Sequence, residues 1–167
     1  MSELVRAERY EDLKKTLDAF SPVNFQPECY VSCGNHDVSA ILTMESRKAY
    51  EKGFCLKTML VVPPTLPLEG GELCSLLTNL IDNAIEANIR FGLKDDIIVR
   101  ISLKEQYLYI AVTNSLPPDA DSRQLLQFRT SKAEPDEHGL GLQIVKRIAE
   151  KYNGHFLADV ENSRFIA

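Results

Sequence analysis

Positive charge is in short supply in this chain. Its 19 Lys and Arg are outnumbered by 24 Asp and Glu, a formal net charge of −5. That argues against a surface built to coat nucleic acid or anionic lipid, since such binding draws on clustered cations. Cysteine is scarce too. Cys29 and Cys33 form a single CxxxC pair, with no second pair and no neighbouring histidines, so the spacing does not support a zinc site. Cys55 and Cys74 lie in apolar runs and are expected to be small core residues, a usage that fits a reducing compartment better than a secreted disulfide scaffold. No apolar run is long enough to span a bilayer, and there is no signal-peptide pattern. The expectation is a cytoplasmic piece, possible as the cytoplasmic end of a membrane-bound sensor. Histidine is limited to His36, His138 and His155.

What the chain does have is enough apolar residue, 44% of 167, to bury one sizeable core. Its central stretch is Glu72 to Asn88, ELCSLLTNLIDNAIEAN. At roughly 100° per residue, Glu72, Ser75, Asn79, Asp82, Asn83 and Glu86 fall in one stripe about 100° wide. Leu73, Leu76, Leu77, Leu80, Ile81, Ala84 and Ile85 cover the remaining girth, which predicts a helix buried in the middle of a domain. A stripe facing a ligand and a stripe merely solvated are both compatible with that helix taken alone. Asn79 and Asn83, one turn apart, would offer carboxamide oxygens to a common spot, a neutral hard ligand set that suits Mg²⁺.

Around this helix the pattern changes several times. Tyr10, Leu13, Leu17 and Phe20 make a short helical seam, and Pro22 and Pro27 mark a linker, placing a domain boundary near residue 30. A helix is expected from Asp37 to Lys52 with Gly53 as its stop, and a strand from Phe54 to Val62 ended by Pro63 and Pro64. Ile97 to Lys104 and Tyr107 to Asn114 alternate cleanly and predict a hairpin, with Leu108, Ile110, Val112 and Asn114 on one face. Ser115 to Glu137 has no period and reads as a lid. His138-Gly139-Leu140-Gly141-Leu142 then opens a helix to Tyr152 capped by Asn153-Gly154, an arrangement in which backbone N–H groups can meet phosphate. Two short strands, His155 to Glu161 and Arg164 to Ala167, turn at Asn162-Ser163.

This order resembles the GHKL ATP-binding fold of histidine kinases, gyrase and their relatives. NLIDNAIEA at 79–87 looks like the N box, VTNS at 112–115 stands where the first glycine box belongs, FRTSK at 128–132 looks like the front of the ATP lid, and the run from His138 to Gly154 looks like the second glycine box. The similarity covers residues 31–167 and is greatest to sensor kinases of the quorum-sensing and citrate-sensing type. It implies an α/β two-layer sandwich in which a mixed, mainly antiparallel sheet packs against about three helices, preceded over residues 1–30 by a remnant of a dimerisation helix and linker.

It also implies ATP and Mg²⁺ as cofactors. Asn79 would coordinate the metal, Asn83 would support the phosphate end, and Asn114 would stand for the aspartate that accepts from the adenine amino group. Thr130, Ser131 and Lys132, with His138, Gly139, Leu140, Gly141 and Leu142, would hold the phosphates. The implied function is transfer of the γ-phosphoryl group to a histidine on a dimerisation segment, with a response regulator downstream and the acceptor helix upstream of Met1. His36 is read as a residue of the ATP-binding domain and not as the acceptor, because Cys33-Gly34-Asn35 matches the entry to that domain. Two departures stand out. Ser115, Leu116, Pro117 and Pro118 replace the expected glycines, which keeps open a regulatory module without catalysis. Ser75, one turn before Asn79, is no base, and Glu72 and Glu86 are the fallback carboxylates; a GHKL serine kinase or ATPase is the remaining alternative.

Overall fold

The structure is a computed structural model that describes residues 29–117 and 140–167. The N-terminal seam, the linker before Cys29 and most of the segment read as a lid lie outside the described residues. The elements run α1 (His36–Glu51), β1 (Leu56–Val61), α2 (Gly70–Phe91), β2 (Ile97–Lys104), β3 (Tyr107–Ser115), α3 (Leu140–Lys151), β4 (Asp159–Glu161) and β5 (Arg164–Ile166). The five strands form one sheet in the order β1-β2-β3-β5-β4. Among the described strands only the β1–β2 pair is parallel. A parallel pair needs a crossover, and α2 is that crossover, which fixes it against one face of the sheet.

The predicted hydrophobic pattern is what α2 buries. Leu73, Leu77, Ile81 and Ile85 are each within 1% of full burial and pack with Ile97, Val99 and Ile101 of β2 and Val112 of β3. Burial on this scale is worth roughly 1.5–3 kcal/mol per large side chain. The opposite sheet face carries exposed Met59, Val61, Tyr107 and Tyr109, so the domain has two layers, helices on one side and sheet on the other. This is the expected α/β sandwich.

Each end of the elements has a local cause. Asn35 caps α1, accepting from Val38 N at 2.9 Å, while its amide donates to the carbonyls of Pro63 and Pro64 and ties the helix start to the end of β1. Gly92, at φ 63°, stops α2 in the left-handed conformation that glycine takes without strain. The β4–β5 turn places Asn162 and Ser163 at φ 51° and 56°, as a two-residue hairpin requires. Two expectations need correction. Cys55 is exposed, because strand alternation puts it on the outer sheet face with Lys57, Met59 and Val61, and His155 lies outside β4, which starts only at Asp159.

The far ends of α2 and α3 are joined by a clasp. Glu72 accepts from Lys151 Nζ at 2.7 Å and from the Tyr152 hydroxyl at 2.5 Å. The bonds to Lys151 and Tyr152 hold the Glu72 carboxyl below its ordinary value of 4.5, and both partners are correspondingly raised. A depressed carboxylate stabilises the fold above its unfolded pKa, and that stabilisation goes as pH falls through the folded one. Glu72→Gln should therefore melt below the wild-type chain at pH 7, and the gap should close as the pH is taken below about 4.5 in thermal unfolding.

Candidate functional site

The polar stripe of α2 is not an open face. Thr78 and Asp82 turn toward α1, whereas Asn79 and Asn83 turn toward the start of α3. The two asparagines are half-buried and similarly oriented. Asn79 Nδ2 donates to the Ser75 carbonyl at 2.7 Å, and Asn83 Nδ2 to the Asn79 carbonyl at 2.7 Å. With each amide nitrogen bonded back to its own helix, the side-chain oxygens are the groups left to serve a ligand. Two neutral oxygens one turn apart fit a hard divalent cation better than a bare anion.

Facing them is Gly141. A Cβ at that position would stand 2.6 Å from Asn79 Oδ1 and 3.6 Å from Asn83 Nδ2, so only glycine lets the backbone of α3 come this close. The first turn of α3 has no acidic residue, and the N-terminal end of a helix favours negative charge. Leu142, 7% exposed, pins that turn into the core, while Leu140 is exposed at its tip. The second glycine motif and the asparagine pair are thus brought together. Carboxamide oxygens and helix N–H groups form a surface that can take a metal-bound phosphate chain.

Asn114 closes the far end of the buried row on β3. It is 3% exposed and pairs across the sheet with Phe165. Its Nδ2 donates to the Ser115 carbonyl at 2.9 Å, which leaves the carboxamide oxygen as acceptor. Beyond it the chain follows a strand rather than a glycine loop: Ser115 pairs with Arg164, and Leu116 N donates to the Ser163 carbonyl at 2.8 Å. Thr130, Ser131, Lys132, His138 and Gly139 lie outside the described residues.

The family profile described as GHKL domain matches residues 68–167, more than half of the chain and all of the site just built. The chain belongs to the GHKL domain family. No curated protein matches it in sequence. Among solved structures, this GHKL chain is similar to the nucleotide-free catalytic domain of histidine kinase ThkA, at 21% identity over 78% of this chain and 85% of that one, with a TM-score of 0.54. It is also similar to the histidine kinase domain of the E. coli osmosensor EnvZ, at 20% identity over 78% and 79%, with a TM-score of 0.52. The crystal structure of ThkA in complex with response regulator protein TrrA matches 98% of this chain and 47% of that one, at 17% identity and a TM-score of 0.57. These identities establish a shared fold, that of histidine kinase catalytic domains.

Sequence reasoning missed one group beside the GHKL site. Glu45 lies on the same face of α1 as Ile41, Leu42 and Ala49 and is 2% exposed. An acidic residue inside an apolar stripe was the available signal. Glu72, a fallback base, is instead committed to the clasp, and Glu86 is exposed.

Gly141→Ala gives a direct check of the pairing. The added methyl meets only the end of the Asn79 side chain, so the melting temperature should stay within a few degrees of the wild type. The Asn79 side-chain amide resonances should shift, and Mg·ATP affinity, read by calorimetry, should fall by about tenfold or more.

Proposed function

We propose that this chain is the ATP-binding catalytic module of a sensor histidine kinase, of the quorum-sensing or citrate-sensing type. The observation that carries the proposal is the close approach of Asn79 Oδ1, with the Asn83 side chain beside it, to the glycine start of α3 within a GHKL domain. Asn79 would hold Mg²⁺, which neutralises phosphate charge when bound, and Asn83 would support the phosphate end. The α3 N–H groups from Leu140, Gly141 and Leu142 would meet the phosphate oxygens. Asn114 would accept from the adenine amino group through its side-chain oxygen, a neutral stand-in for a carboxylate. Thr130, Ser131, Lys132, His138 and Gly139 complete the phosphate end in this reading, which for them rests on the sequence resemblance.

The transfer itself is in-line displacement at the γ-phosphorus by an imidazole nitrogen, with ADP leaving. That step needs positioning and charge neutralisation more than a base, because the nucleophile is a neutral histidine. The acceptor belongs to a dimerisation segment of the same kinase, for which residues 1–30 would be the remnant and linker. A response regulator would receive the phosphoryl group, as the association of ThkA with TrrA supports. Among the described residues no helix is long and apolar enough to cross a membrane. A cytoplasmic module attached to a membrane-bound sensor fits that reading.

The second reading, a nucleotide-responsive module without catalysis, draws on the strand-like course of Ser115 and Leu116. Calorimetry with Mg·ATP, then labelled ATP with a supplied acceptor-helix fragment, separates the two. A kinase yields an acid-labile, base-stable phosphate on the fragment, and a regulatory module yields binding alone. Asn79→Ala and Asn83→Ala should each lower Mg²⁺-dependent ATP affinity by about thirtyfold or more, at an unchanged melting temperature. Unchanged affinity in both would remove the asparagine pair from the site.

A further inference from the structure

Between α1 and α2 lies a charged cluster that nucleotide binding, as described above, does not use. Thr78 Oγ1 donates to Glu45 Oε1 at 2.8 Å, and Lys48 Nζ makes an ion pair with Asp82. Lys48 Nζ also lies 3.7 Å from Glu45 Oε2, an oxygen that is buried without a hydrogen bond. Burial pushes the Lys48 ammonium down, but its bond to Asp82 and the charge of nearby Glu45 outweigh this and leave it raised, hence charged at neutral pH. A buried carboxylate with one oxygen unsatisfied is a poor device for stability, since apolar residues of the same volume commonly do as well or better.

The positions of the contacts give the cluster another use. Thr78 and Asp82 are the immediate predecessors of Asn79 and Asn83. Neighbouring residues point roughly 100° apart, so the same two turns of α2 hold α1 on one side and face Gly141 on the other. The clearance at Gly141 is less than a methyl group, so a small rotation of α2 would move both carboxamides off that backbone. Charge matters as well. Asp82 stands next to Asn83, and an uncompensated carboxylate there would repel a phosphate chain.

We propose that Glu45 and Lys48 of α1 are positioning residues for the phosphate end of the nucleotide site, fixing the rotation of α2 and cancelling the Asp82 charge beside Asn83. The inference rests on the nucleotide-binding reading above. It makes α1, on the other flank of α2, a determinant of phosphate affinity.

The test is calorimetric titration of the whole chain with Mg·ATP and, separately, with adenosine, which has no phosphate. Lys48→Met should weaken Mg·ATP about fivefold, the effect of one partly screened charge at close range, and leave adenosine binding unchanged. Lys48→Arg should retain the wild-type affinity, and Lys48→Met with Asp82→Asn should recover most of the loss, since no unpaired anion remains. Lys48→Gln carries the same expectations if the methionine variant fails to fold. An unaltered Mg·ATP affinity, an equal loss for adenosine, or no recovery in the double variant each overturns the proposal. Absence of Mg·ATP binding by the wild-type chain sinks the nucleotide reading itself, and the proposal with it.

Discussion

Everything in this domain depends on the burial of α2 against the sheet. Because β1 and β2 are parallel, the chain between them has to cross over, and α2 does so with Leu73, Leu77, Ile81 and Ile85 turned into the core. That burial sets the rotation of the helix coarsely and leaves its polar stripe on the side away from the strands. The stripe is then narrowed from both flanks, by α1 at Thr78 and Asp82 and by α3 at Asn79 and Asn83. Function lies in the part of the stripe that the packing leaves over.

The division of charge along α2 follows from the same arrangement. Two of its three carboxylates are committed to other partners: Glu72 to Lys151 and Tyr152 at one end, Asp82 to Lys48 in the middle. Beside α3 stand the neutral carboxamides of Asn79 and Asn83 on one wall, with the start of the helix on the other. In the nucleotide-binding reading proposed above, such a surface would take a cation and a phosphate chain together. Phosphoryl transfer asks for that kind of positioning more than for a protein base.

Much of this was legible in the residues. The helix predicted from Glu72 to Asn88 is present as Gly70–Phe91, and the hairpin of β2 and β3 has the expected strands, with Asn114 on the buried face beside Val112. Strong periodicity is a local property, and it survives because tertiary packing asks for the same face that the pattern offers. The failures had different causes. Cys55 was read as a core residue from the apolar run around it, but alternation puts it on the exposed sheet face with Lys57, Met59 and Val61, and His155 was read into a strand that begins four residues later, at Asp159. Apolar composition does not say which face of a strand is covered, and it does not fix where a strand starts.

The sequence by itself determined the elements, the residue types at the site and their order, since helical and strand periods, turn residues and the spacing of Asn79, Asn83 and Gly141 are all written locally. Only the tertiary structure decided what those residues face. That Gly141 comes within a methyl's breadth of Asn79, that Glu72 closes a clasp with Tyr152, and that Glu45 is buried against Thr78 are contacts between segments far apart in the chain. The physical reason is that side-chain direction follows from how whole helices are rotated against the sheet and each other. That rotation is fixed by the summed packing of the core, not by any one stretch of residues.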